Sequence, residues 1–546
     1  MPRTPSLPKG RPAASRVGLA ILSLTAATGL AACGSGGSAG GGSEASAKTL
    51  ETQTWLVPQD WGALDPTRST ATNSGTILLA FEPLVLSDGK GGAKPNIATQ
   101  TTPDAKTFIY KIRSGVTFSD GKPLTIEDVL YSIDIHRRKG STSALAGNFT
   151  AVRSIKATGP DEITIKMRTP DVLFANTMAQ TGIVEKAVRE PLGKGAGAPD
   201  KPNVGTGPFT IAKFQPGKEV VLQRNERYWG TKPAAKQLTM RLVADESARL
   251  LAVRAGDVTG AFEVPASEAA VYAKVPGMTL IRGNNPSITT LSLNQKHKPW
   301  NDVHVRRAVA HAVDRPGLVK AILRGNGSPS TTLVQPANAQ DVMPAAEQER
   351  LYASLDLYKP DMAAAKAEMA KSTVPGGFKD TIVFSDAEPG QGRVAQAIAQ
   401  ELKAIGIDLT VKQTPDEAYT EAVFFKHTAS AAVVDFTTDQ PDPISLPNYM
   451  SSKKQTLAEG GYTNIADYVN PAQDAVLDEY LATPATDSKK RAELLSSALT
   501  NLATDEPYVP LYNSNYIAIV KSGLKFADFD GMWWMRRWTD GVTASK

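Results

Sequence analysis

At 546 residues the chain is longer than one hydrophobic core normally supports, so two or more domains are expected. Lysine and arginine number 60 against 55 acidic residues, but four of the basic residues fall in residues 1–32, which carry no acid. The rest is nearly neutral with no basic cluster, which argues against nucleic acid as a partner. A single cysteine rules out an intramolecular disulfide.

In chain order, Arg3, Lys9, Arg11 and Arg16 precede an apolar run from Val17 to Leu30, which ends in Leu30-Ala31-Ala32-Cys33. A basic head, an apolar middle and small residues at a cut site make a secretory leader over 1–32. The run is shorter than the about 20 residues that span a bilayer core. Leu-Ala-Ala-Cys resembles a bacterial lipobox, which implies lipidation at Cys33 and attachment to the cell membrane outside the cytoplasm. Residues 33–47, rich in Gly, Ser and Ala, read as a flexible tether.

The body reads as mixed α/β. Strands are predicted at Phe108–Ile112, Glu162–Met167, Glu219–Arg224, Thr239–Leu242 and Thr289–Asn294. Thr125, with Asp128 three residues on, starts a helix. A second helix opens at Asn301 or Asp302 and runs through Ala312 with Val305, Ala308, Val309 and Ala312 inward, and a third starts at Pro360-Asp361 and reaches about Lys371. Thr381–Phe384 reads as a strand and Gln391–Ile405 as a helix with Val394, Ile398, Leu402 and Ile405 on one face. Gly406 then ends that helix, and Ile407, Leu409 and Val411 alternate with polar residues as a half-buried strand. Trp533, Trp534 and Trp538 near the C-terminus could stack on a ligand, but the favoured expectation is that they pack the last strand and loop against the body of the chain.

Catalytic signals are poor, so binding is expected, not an enzyme, and no cofactor is implied. Gly36-Gly37-Ser38-Ala39-Gly40 fits the nucleophile-elbow spacing but lies in the tether, away from any strand-to-helix turn. Gly193 to Gly197 is not a dinucleotide fingerprint. The five histidines (His136, His297, His304, His311 and His427) lack the Glu or Cys spacing of a metal site. The carboxylate pairs Glu127-Asp128 and Asp505-Glu506 read as solvated or capping groups at element ends.

Several phrases in order resemble one family, the large (family 5) extracellular solute-binding proteins of ATP-driven importers, which include oligopeptide, dipeptide and nickel binders. They are Leu64-Asp65-Pro66 with Phe81-Glu82-Pro83-Leu84-Val85; the stretch Phe108–Val129; Gly205–Phe209 followed by Arg224-Asn225 and Tyr228-Trp229; and Asn294 through Arg315. The resemblance runs over roughly Leu50 to Tyr516. It implies an α/β, periplasmic-binding-protein-like two-lobe fold (type II) with a ligand cleft between lobes. Lobe I would be 48–90, 205–285 and 512–546, its extra subdomain 91–204, and lobe II 286–511. The implied partners are a peptide-like ligand and the permease and ATPase subunits of an ABC transporter, with the chain itself a monomer.

Asp435 through Pro443 resembles the ligand loop of the peptide binders. By that resemblance Phe436 takes an aromatic place, Thr437 offers backbone contacts, and Asp439 holds the ligand's free amine. An ammonium taken out of water needs such a carboxylate. Thr70 and Tyr512 match other ligand-side positions. Some peptide binders carry an arginine for the ligand carboxylate where this chain has Ser385-Asp386, so a longer peptide or another amine-bearing solute stays open, and a strict dipeptide fits less well. A ligand-sensing receptor and, less well supported, a secreted hydrolase are the competing readings.

Overall fold

The computed structural model describes residues 50–69, 71–89, 92–355 and 358–545. Cys33, the leader and the tether lie outside the described residues, as does Thr70. Among the described residues, no helix is long and apolar enough to cross a membrane.

A 12-stranded mixed sheet organises the chain. Its main path runs Ile407–Thr414, Phe378–Ser385, Ala431–Thr437, Ser287–Leu293, Tyr508–Lys521, Gly260–Ala261, Thr52–Val57, Gln237–Leu242, Glu219–Arg224 and Phe209–Gln215. The 14-residue strand Tyr508–Lys521 belongs to both halves. Its first residues pair with Ser287–Leu293, and Asn515–Lys521 pairs antiparallel with Met278–Asn284. The two stretches that join the halves are therefore hydrogen-bonded to one another near the crossing. A separate antiparallel sheet of Ala98–Asp104, Thr107–Ile112, Glu162–Met167 and Val152–Gly159 has its own core of Phe108, Tyr110, Ile163, Ile165 and Phe174.

Local signals explain most element ends. Thr125 and Asp128 form a reciprocal capping box at the start of Ile126–Arg137. Asp302 caps Val303–Ala312 and Asp361 caps Met362–Lys371. The predicted strand–helix–strand unit is present as Phe378–Ser385, Pro389–Leu402 and Ile407–Thr414, and the two strands pair in parallel. Gly406 sits at φ 81 between them, the left-handed conformation that lets the chain turn straight from helix end to strand.

The tryptophans near the C-terminus are core residues. Trp533 stacks on Phe262 with ring centroids 4.0 Å apart, and Trp538 meets Trp55 edge-on at 5.4 Å. Both indole N–H groups are satisfied, Trp538 by the Gly75 carbonyl (2.8 Å) and Trp533 by the Tyr516 hydroxyl (3.1 Å).

Several recurrent sequence phrases turn out to hold distant backbones together. Glu82 accepts from Tyr228 Oη (2.7 Å) and Trp229 Nε1 (3.2 Å) and faces Arg537, so two phrases far apart in sequence meet around one buried carboxyl. Arg306 donates to the carbonyls of Trp300, Asp505 and Glu506, and Arg315 to those of Ala310 and Pro510. These two arginines fix the entry of the shared strand Tyr508–Lys521. Glu506 departs from the expected solvated role. It is fully buried, adopts φ 46, and accepts from Tyr358 Oη at 2.8 Å. A helix end is exposed only when nothing packs on it, and here both arginine-bearing turns do.

Burial raises the Glu82 carboxyl to about 7 and that of Glu506 to about 8, outweighing the nearby arginines. In the unfolded chain both are ionised well below these values. Folding therefore takes up protons between the two limits, and stability is lost as pH rises through 7 to 8. His136, held neutral by burial at about 4, acts in the opposite direction only below its ordinary range. Thermal unfolding is thus expected to come at lower temperature at pH 8.5 than at pH 6.5, with Glu82→Gln and Glu506→Gln each flattening that slope. A melting temperature independent of pH over this window would contradict the assignment.

Candidate functional site

The loop that follows the strand Ala431–Thr437 packs against the segment around the helix Phe174–Met178. Val172 N donates to the Leu481 carbonyl (3.1 Å), and Gln180 Nε2 to the Asp439 carbonyl (3.2 Å), so both flanks of the helix Phe174–Met178 lie against residues 439–481. Asp439 is partly buried there. Its Oδ1 accepts from Tyr449 Oη at 2.9 Å, and Gln180 and Asn148 are its other polar neighbours. All three are neutral, and among the described residues no lysine or arginine pairs with the carboxylate. Burial raises its pKa, with Tyr449 working against that shift.

A second buried pair holds the loop in shape. Asp442 is ion-paired with Arg491, accepts from Tyr480 Oη (3.0 Å), and caps the next turn through Ile444 N (3.1 Å). The Arg491 guanidinium also lies over the Tyr480 ring, 4.7 Å from its centroid. Sequence reasoning missed both Asp442 and Arg491. The Asp-Pro spacing marked a turn, but a partner 49 residues away leaves no local signal.

Strand alternation sorts the expected ligand residues. Asp435 and Thr437 are exposed and Phe436 is buried between them. The Phe436 ring packs at 5.7 Å from Tyr508 and 6.1 Å from Phe424, in a cluster with Ile288 and Val434. Its side chain therefore supports the strand from behind and does not share the face of Asp435 and Thr437. Thr437 is the last paired residue, opposite Ser287. Tyr512 is nearly buried in the shared strand, paired with Thr289, and feels the negative charge of Asp435 and Glu388. Asp435, Thr437 and Tyr512 are thus drawn into one region, Asp439 lies two residues beyond the end of the strand among Tyr449, Gln180 and Asn148, Phe436 is packed behind the strand, and Thr70 is outside the described residues.

Ser385 and Asp386, where an arginine would hold a ligand carboxylate, are engaged with Asp416. Ser385 Oγ donates to its carboxylate at 2.6 Å, and Asp386 accepts from its backbone N–H at 2.9 Å. Arg393 is exposed. No group of three or more His, Cys, Asp or Glu suited to a metal occurs among the described residues, and His304 instead pairs with Glu368 at 2.7 Å. A hollow of about 830 Å³ beside Lys106, Arg153, Lys166 and Ala482 touches none of the expected ligand residues.

The family model for the bacterial extracellular solute-binding proteins, family 5, matches residues 92–458. The chain belongs to this family. A relative from Escherichia coli, named a probable D,D-dipeptide-binding periplasmic protein, is 27% identical over 485 residues, covering 86% of this chain and 90% of the relative. Protein XP55 of Streptomyces lividans is 28% identical over 455 residues, covering 81% and 80%. Among solved structures, the periplasmic binding protein DppA from Helicobacter pylori in complex with the peptide STSA superposes with a TM-score of 0.75 at 22% identity, covering 91% of this chain and 99% of that one. That likeness shows the fold: the mixed α/β architecture of the periplasmic binding proteins. As a family 5 protein the chain belongs to a group of extracytoplasmic binding proteins.

Proposed function

We propose that this protein is the substrate-binding component of an ABC importer, taking a peptide between its two halves and delivering it to the membrane permease. The observation that carries this reading is Asp439, a partly buried carboxylate surrounded by neutral groups alone. Such a group costs free energy unless a cation completes it, and the free amine of a peptide supplies one. The end of the strand at Thr437 then offers main-chain groups to an extended ligand, leaving side-chain pockets permissive. The names of the Escherichia coli relative and of the peptide-bound Helicobacter pylori neighbour support the same class.

In this reading the halves are lobe I (48–90, 205–285 and 512–546, with the subdomain 91–204) and lobe II (286–511). They hinge on the shared strand Tyr508–Lys521 and its neighbour Met278–Asn284. The leader would direct export, and Cys33 would carry the lipid that keeps the protein, as a monomer, beside its permease. Native mass spectrometry of the mature protein purified from its source is the test. A co-purified mixture of peptide masses is expected. A single non-peptide mass, or an empty protein that no peptide stabilises in a thermal-shift panel, would overturn the peptide reading.

A further inference from the structure

The strand that leads into Asp439 carries a second carboxylate. Asp435 is on the exposed side of its strand, four residues before Asp439 and at most about 14 Å from it along the chain. Its carboxylate accepts from Thr289 Oγ1 and from Gln391 Nε2 (3.1 Å), both neutral donors. Glu388 stands near it, and Glu388 in turn is acted on by Asp416 and Glu263 as well as by Asp435. Glu388 makes no ion pair among the described residues. Protein packed around its open side chain, together with Asp435 and the other acids, pushes its carboxyl up to about 7.

Neither nearby arginine forms an ion pair with Asp435 or Glu388 among the described residues. Arg249 is occupied by the carbonyls of Val243, Ala244 and Glu263, and Arg393 is the remaining positive group close to Tyr512. A separate observation points the same way. Gln391 is 5% exposed, and with its Nε2 committed to Asp435 its Oε1 has no donor. A buried acceptor without a donor, set against a carboxylate without a cation, is the complement of a group that brings both N–H bonds and positive charge.

We propose that Asp435, Glu388 and Gln391 form a second cation subsite, so that the preferred ligand is a peptide with a lysine or arginine side chain within its first four residues. The inference rests on the reading of Asp439 as the amine anchor and adds a ligand class to it. The amine would lie at Asp439, the extended backbone would run along Thr437, and the basic side chain would reach Asp435, with its N–H groups shared between Asp435, Glu388 and Gln391 Oε1.

The experiment is calorimetric titration of the mature protein with Ala-Ala-Ala-Ala and with Ala-Lys-Ala-Ala, Ala-Ala-Lys-Ala and Ala-Ala-Ala-Lys. At least one lysine peptide is expected to bind about tenfold or more tighter than the alanine peptide, the scale of one hydrogen-bonded charge. In the double variant Asp435→Asn/Glu388→Gln, whose fold is checked by its melting curve, that ratio should fall to within about threefold of unity. Alanine peptide bound as tightly as every lysine peptide would overturn the subsite while leaving the peptide reading in place. A ratio unchanged in the double variant would overturn the assignment to these residues. Failure of all four peptides to bind would overturn both readings together.

Discussion

Asp439→Ala is expected to weaken ligand binding by about 3–5 kcal/mol, the range for removing one partner of a buried ion pair. That is roughly a hundredfold to several-thousandfold in Kd. The large effect follows from the surroundings: the polar neighbours of the carboxylate are Tyr449, Gln180 and Asn148, and no lysine or arginine pairs with it among the described residues. Its removal leaves the ligand amine desolvated with neutral oxygens alone. Asp439→Asn keeps the shape and the Tyr449 contact and should lose nearly as much, which separates charge from packing. Titration of both variants with the ligand recovered from the native protein provides the check, and affinities within threefold of the parent would refute the anchor.

The second large effect is on stability. Arg491→Ala should cost about 3–5 kcal/mol of unfolding free energy, because Asp442 would stay buried beside Tyr480 without its cation. Arg491→Met combined with Asp442→Asn should recover much of that loss, since neutralising both partners removes the stranded charge. Denaturant titration reads both variants. A loss below about 1 kcal/mol in Arg491→Ala would mean that Asp442 is hydrated and the pair structurally idle. Because Asp442 also caps the turn through Ile444, the same substitution is expected to weaken ligand binding through a misplaced Asp439.

The two acids of the loop differ in a way that only packing creates. Asp442 and Asp439 are three residues apart in one Asp/Pro-rich segment and look equivalent in the sequence. One finds an arginine on the helix Ser488–Asp505 and becomes structural, and the other finds hydroxyl and amide groups and remains short of a cation. The same contrast separates Glu127 from Glu506. Glu127 at a helix start pairs with Lys186 on the surface, as expected of an element end, while Glu506 is covered by Arg306, Arg315 and Tyr358.

What the sequence determined by itself was local and periodic. The caps at Thr125, Asp302 and Asp361, the left-handed Gly406, and the strand–helix–strand unit from Phe378 to Thr414 were all legible. Each is set by neighbours within a few residues through hydrogen bonds and apolar spacing. The ordered family phrases were legible too, and the structure gives their reason: Glu82 with Tyr228 and Trp229, and Arg306 and Arg315 with carbonyls, tie together backbones that must meet in this fold. What only the tertiary structure decided was which face each strand residue took and how each charge was satisfied. Phe436 and Asp435 are adjacent, yet one is core and the other is exposed, because pairing with Ser287–Leu293 sets which side of the strand meets the apolar layer. Glu388, Gln391 and Asp435 meet across nearly fifty residues of chain, and Arg491 reaches Asp442 over a similar span. Desolvation and Coulomb interactions depend on distance in space, so the pattern of paired and unpaired charges emerges only once the chain has folded.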